Sequence, residues 1–264
     1  MSWILAVETS TEWCSVALGR AVSGGAVECF FRHEHTGARS SSRVLPAAGE
    51  VLAEAGIRLA DCAAIAFGAG PGSFTGLRTA CGVAQGLAFG ADLPVIPVNV
   101  LMACAESART ATPGLPAGAS VLVGLDARMD EVYAAAFRWD EGRGEWSMEG
   151  AMHVGAPEAI VAPAGPYWLA GNAAAVFGER LAVAAQAARI LPDALPNARA
   201  MVSIGMRALA RGETIDAAQA MPIYVRDKVA QTIVEREAAA AAKAAAAATV
   251  AKAVEAVPGR GDVA

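Results

Sequence analysis

Residues 63–90 read AAIAFGAGPGSFTGLRTACGVAQGLAFG, and the rest of the chain is organised around them. The apolar run from Ala63 to Phe67 predicts a short buried strand. Gly68, Gly70, Pro71 and Gly72 follow as a loop. Glycine there permits positive φ and close backbone approach, and Pro71 fixes its own φ. Ser73 is placed as an N-cap, with Thr75 in the first turn of a helix running to about Phe89. Gly90 stands where a C′ glycine belongs. The loop has two readings, an anion cradle at a helix N-terminus or a tight strand-to-helix turn. It is not a Walker A loop, since no Gly-Lys-Ser/Thr follows, and its alternate glycines do not match GxGxxG.

The helix carries Gly76, Gly82 and Gly86 among small residues. Each interior glycine costs about 1 kcal/mol relative to alanine, so three in one helix require a compensating contact. Gly82 and Gly86 are four apart and share a face. That face lets another helix approach closely, whether from this chain or from another subunit.

The chain has 264 residues and a net charge of −5. This length suits one large domain or two lobes. An acidic chain is a poor RNA binder on its own, because phosphate contacts supply most of that affinity. Cys14, Cys29, Cys62, Cys81 and Cys104 are scattered and form no CxxC, which excludes a disulfide framework or a zinc ribbon. No apolar run is long enough to span a bilayer, and MSWILAVETST lacks the basic n-region of a signal peptide. A cytoplasmic protein with no membrane association is expected.

Read in order, Trp3 to Val7 is a strand, Glu8 to Glu12 a polar turn, and Trp13 to Leu18 a returning strand. Val27 to Phe31 makes a third. Residues 40–57 repeat apolar side chains at helical spacing through Val44, Leu45, Ala48, Val51, Leu52 and Ala55, with Pro46 near the first turn and Gly56 as C′. This helix and the one from 74 to 89 flank the strand at 63–67, the βαβ arrangement of a mixed sheet. Leu93 to Val98 is the next strand and Val100 to Ala108 a helix. A second series follows: strands from Ser120 to Leu125, Glu131 to Arg138, Trp146 to Val154 and Tyr167 to Ala170, then a helix from Ala198 to Arg211. The division falls at 1–98 and 99–227, the last segment returning to the first lobe. Residues 228–264 form an alanine-rich tail, helical or frayed from Glu235 to Glu255 and disordered from Pro258.

His33 and His35 share a face of a strand, but no third ligand stands at fitting spacing, so zinc is rejected. Ser73 is not in a G-x-S-x-G elbow, and a serine hydrolase is set aside. Asp126, Asp130 and Glu131 cluster around a turn with Arg128. They could hold a cation or a partner arginine, but a turn held by its own ion pairs is the favoured reading.

Together, GPGSFTGLR, Glu8-Thr9-Ser10 and Asp126-Ala127-Arg128 resemble the TsaB (YeaZ) family over roughly residues 3–227. That family belongs to the bacterial machinery for N6-threonylcarbamoyladenosine at tRNA position 37. The resemblance implies an α/β, two-lobed actin-like ATPase (ASKHA, ribonuclease H-like) fold with mixed sheets flanked by helices. The tail beyond about residue 230 departs from the family pattern.

The catalytic relative TsaD carries a metal-binding His-x-x-x-His pair after the equivalent of the 95–98 strand. Here Val100 and Cys104 occupy those positions, which implies that the metal site is lost. The resemblance therefore implies a non-catalytic subunit that activates TsaD, helps recruit the ATPase TsaE, meets tRNA indirectly and forms a homodimer when alone. The helices at 40–56 and 74–89 would make the interface, through Val44, Leu45, Ala48, Val51, Leu52, Ser73, Leu77, Arg78, Cys81, Gly82, Gln85 and Gly86. No cofactor is required. The rival reading is an ATP-binding or ATP-hydrolysing enzyme of the same fold, holding phosphate with Thr9, Ser10, Gly70 and Gly72. No carboxylate set for Mg²⁺ is evident beside them.

Overall fold

The computed structural model describes residues 2–116 and 118–226. The expectations for the alanine-rich tail lie outside the described residues. No described helix is long and apolar enough to cross a membrane.

Two five-stranded mixed sheets account for the architecture. The first is built from β1 (Trp3–Glu8), β2 (Trp13–Ala21), β3 (Val27–His35), β4 (Cys62–Gly70) and β5 (Val95–Asn99), in the order β3-β2-β1-β4-β5. The second is built from β6 (Ser120–Arg128), β7 (Glu131–Asp140), β8 (Glu145–Gly155), β9 (Tyr167–Ala170) and β10 (Arg189–Leu191), in the order β10-β9-β6-β7-β8. In each, three consecutive strands run antiparallel and the next two join in parallel beside the first. The two sheets thus share one wiring.

Alternation along β1 sorts its side chains to two cores. Leu5 and Val7 face α1 (Ser40–Ala55) and α2 (Phe74–Ala91), which bury Val44, Ala48, Val51, Ala80, Cys81 and Ala84 against them. Ile4 and Ala6 face the opposite way, into a core shared with the second sheet. That core is filled by α3 (Val100–Ala111) and α5 (Ala198–Ala210), through Leu101, Cys104, Met201 and Val202. Because these two helices lie between the sheets, Met1–Val225 forms one compact unit. On the second sheet's outer face, Leu122, Val132 and Leu169 pack with α4 (Ala173–Phe177).

The capping chemistry follows the sequence with two differences. Ser73 caps α2, its Oγ accepting the Gly76 amide at 3.4 Å, and Gly56 ends α1 in the left-handed region at φ 67. Gly90, however, is helical: α2 continues to Ala91, and Asp92 takes the left-handed position at φ 53. Asx residues tolerate that conformation better than most, so a C′ glycine is not required. Pro46 lies inside α1, beyond its first turn.

Candidate functional site

The glycine-rich loop is packed by its own chain. Thr9 and Ser10, in the β1–β2 turn, are 1% and 3% exposed. The Ser73 amide donates to the Ser10 carbonyl at 2.7 Å, and the Thr9 hydroxyl donates to the Gly76 carbonyl at 2.7 Å. A Cβ on Gly76 would collide with the Thr9 carbonyl oxygen, and one on Gly72 would lie 2.6 Å from Ser10 Cβ. Gly70 has φ 136, and the Ile223 carbonyl occupies the place a Cβ would take. Ile223 also donates its amide to the Ala69 carbonyl at 2.6 Å. Thr9, Ser10, Gly70 and Gly72 are therefore brought together, as the phosphate reading requires. Ser10 and Ile223 pack against those glycines.

Beneath the turn, Glu8 is fully buried at the end of β1. Its Oε1 accepts the Ser10 amide, and its Oε2 has no hydrogen-bond partner. Burial pushes its carboxyl up to about 7, against the opposing pull of the Ser10 hydrogen bonds. Oε2 lies against Gly68, where a Cβ would collide with it.

The outward side of α2 differs from its seat. Gly82 and Gly86 are exposed, and a Cβ on either would meet no neighbouring atom within 4 Å. Phe89, three residues beyond Gly86, is 63% exposed, and Leu45 on α1 is 51% exposed. At the N-terminal end of α2, the Arg78 guanidinium lies 3.7 Å over the Phe74 ring and donates to the Tyr224 hydroxyl at 3.1 Å. The twelve interface residues read from the sequence divide accordingly. Val44, Ala48, Val51, Leu77 and Cys81 are buried in the chain's own core. Leu52 is half-buried against it. Gln85 is turned to the segment after α5, donating to the Ala217 and Ala220 carbonyls at 3.2 Å each, while the Cys81 thiol donates to Ala220 at 3.5 Å. Leu45, Ser73, Arg78, Gly82 and Gly86 face outward.

Segment 217–224 is thus a strap along α2, ending with exposed Met221, Ile223 and Tyr224. The sequence analysis assigned no element and no role to this segment. Helical periodicity identifies which residues share a face, but not which later segment covers it.

Val100 and Cys104 are fully buried on α3. The Cys104 thiol donates to the Ala194 carbonyl at 2.6 Å, and burial raises it far above the ordinary thiol range, which keeps it protonated. His33 is half-buried, its ring stacked on Trp13 at 4.4 Å, and burial holds it below the usual imidazole range. His35 stands 3.3 Å from Glu12.

Comparison with known proteins decides the family. Tested against family models, residues 34–234 match the one described as TsaD, tRNA N6-adenosine threonylcarbamoyltransferase. Over 238 residues the chain is 37% identical to the tRNA threonylcarbamoyladenosine biosynthesis protein TsaB of Escherichia coli (strain K12), covering 86% of this chain and 96% of that one. The chain belongs to the TsaB (YeaZ) family. TsaB of Haemophilus influenzae is 35% identical over 240 residues, covering 86% of this chain and 94% of its own. The structure of YeaZ from Pseudomonas aeruginosa superimposes with a TM-score of 0.74 at 37% identity, covering 85% of this chain and all (100%) of that one. A shorter similarity, 48% identity over 59 residues, links 22% of this TsaB-family chain to 17% of the tRNA N6-adenosine threonylcarbamoyltransferase of Bordetella pertussis. The two-lobed actin-like fold read from the sequence agrees with the YeaZ architecture.

Proposed function

We propose that this chain serves tRNA threonylcarbamoyladenosine biosynthesis as a non-catalytic subunit that binds and activates TsaD. The outward face of α1 and α2 carries the pairing. The observation that supports this most directly is the open strip at Gly82 and Gly86 on α2, with Phe89 exposed on the same helix and Leu45 exposed on α1. Two glycines on one exposed helix face let a second helix approach backbone to backbone, and exposed aromatic and aliphatic side chains supply the apolar burial. The match to a TsaD-described model and the 59-residue similarity to a transferase indicate that the partner is built from related elements. Related helices on both proteins also account for a homodimer through the same face when TsaD is absent. TsaE joins through the complex, tRNA is met through the other subunits, and the assembly is cytoplasmic.

The nucleotide reading is weaker. Ser10 packs on Gly72 and Ile223 on Gly70, within the loop that reading invokes.

The deciding experiment is light-scattering chromatography of the chain alone and mixed with its cognate TsaD, for the wild type and for Gly82→Leu. The expected result is a homodimer that exchanges into a heterodimer, and a Gly82→Leu protein with unchanged circular dichroism that does neither. Retained pairing by Gly82→Leu would overturn this interface. A monomer indifferent to TsaD would overturn the subunit reading.

A further inference from the structure

Between β6 and β7, three consecutive non-glycine residues adopt left-handed backbone: Arg128 at φ 60, Met129 at φ 56 and Asp130 at φ 64. Non-glycine residues other than Asn and Asp rarely take this region, and a run of three that includes Arg and Met is strained. The turn is held on both sides. Asp126 accepts the Arg128 amide at 2.8 Å and its guanidinium at 3.3 Å. The Asp126 amide is itself held by Asn172 Oδ1 at 2.9 Å, and Asp130 receives both arms of Arg180, at 2.7 and 2.9 Å. These contacts leave the far end of Arg128 extended to the other sheet, where it meets Glu12 of the β1–β2 turn at 2.6 Å. Arg128 first, and then His35, hold the Glu12 carboxyl below its ordinary range.

We propose that the 126–130 turn is a latch, whose left-handed backbone aims Arg128 across to Glu12 and so ties the second sheet to the seat of α2. The second half of this follows from the β1–β2 turn itself. The Glu12 carbonyl accepts the Thr36 and Gly37 amides at 3.0 and 2.9 Å, and Ser10 in the same turn accepts the Ser73 amide that begins α2. Pulling on Glu12 therefore reaches the start of α1 through the Thr36 and Gly37 amides, and the N-cap of α2 through two residues of backbone and the Ser10–Ser73 hydrogen bond. Both latch partners are largely exposed, at 68% and 56% of their side chains. Such a pair adds little to global stability and is weakened by salt. It is suited to opening, and the strain around it is not explained by stability alone.

The test is amide hydrogen exchange on the full chain, read at Thr36, Gly37 and Ser73. Arg128→Ala is expected to speed exchange at these amides roughly two- to fivefold, the range a lost exposed ion pair gives. Wild-type protein in about 0.5 M salt is expected to shift the same way. Met129→Gly, which relieves strain while leaving Arg128 in place, is expected to raise the melting temperature and still loosen the three amides. Exchange unchanged in Arg128→Ala, or unchanged in high salt, would overturn the latch. A Met129→Gly protein that gains stability with exchange unaltered would overturn the aiming role of the strained backbone.

Discussion

The carboxylate of Glu106, fully buried on α3, lies 3.1 Å from the guanidinium of Arg207 on α5. Arg109 reaches the same carboxylate at 3.0 Å, and the Trp146 indole donates to it at 2.7 Å from β8. One carboxylate therefore joins the two helices between the sheets to the edge of the second sheet. Glu106→Ala should cost about 2–3 kcal/mol, because it leaves two half-buried guanidinium groups and the Trp146 indole without their acceptor. Burial alone would raise the Glu106 carboxyl, but the two arginines hold it below the ordinary range. A group lowered on folding contributes stability above its unfolded value, and loses it as pH falls through the folded one. Urea unfolding should accordingly show a steeper loss on acidification in the wild type than in Glu106→Ala. Parallel acid profiles would contradict the assignment.

Glu8 should behave in the opposite sense. Its carboxyl is raised from 4.5 to about 7 in the folded chain. Below the unfolded value both states hold the proton and there is no penalty. The penalty grows as pH rises toward 7 and then levels at about 3 kcal/mol. Glu8→Gln keeps an oxygen for the Ser10 amide and cannot ionise. Its stability relative to wild type should therefore improve between pH 5 and pH 8 by up to that amount, measured by urea unfolding at the two values. A difference that does not change with pH would rule out a raised carboxyl.

Two glycines of one helix should respond with opposite signs. Gly82→Ala places a methyl in space that is open within the single chain and should stabilise the unpaired protomer by about 1 kcal/mol through helix propensity, read at dilutions where the chain does not dimerise. Gly76→Ala gains the same propensity but drives a methyl into the Thr9 carbonyl, and should be destabilising on balance. Thermal unfolding of both variants checks the pair. Equal effects would mean that the β1–β2 turn does not press on α2.

Gln85→Leu removes both amide bonds to the strap and keeps the volume of the side chain. The Ala220 carbonyl retains only the Cys81 thiol, a weak donor. Cleavage within residues 217–224 during limited proteolysis should accelerate, while global unfolding shifts by about 1–2 kcal/mol. Unchanged cleavage would show that Ile223 and Tyr224 hold the strap without Gln85.

The sequence revealed those features whose cause is local. Alternation in Trp3–Val7, the spacing of Val44, Ala48 and Val51, and the cap at Ser73 each depend on a few neighbouring residues, and each element formed where expected. The same local logic missed what distance supplies. Glu8 is polar and sits before a turn, which reads as surface, yet β4 and α5 bury it. The Asp126–Glu131 cluster was legible as a turn held by its own ion pairs, but the left-handed run and the Glu12 contact were not. Arg128 and Glu12 are 116 positions apart, and a side chain's own sequence neighbourhood carries no record of its partner. On α1 and α2, helical spacing marked a sheet-facing stripe correctly but merged it with the outward face, so Val44 and Val51 were grouped with Leu45 and Gly82.

The α5 helix begins where the Ala198 amide meets the Ser15 hydroxyl of β2, 183 positions earlier in the chain. During synthesis at about 5–20 residues per second, the inner surface of β1 and β2 waits roughly 10–40 s for its cover. Ile4, Ala6 and Ala17, which the folded chain buries in the core that α5 helps fill, are then apolar and without that cover. The first half of this protein is consequently the part most exposed to aggregation, and chaperone demand falls on it until α5 emerges.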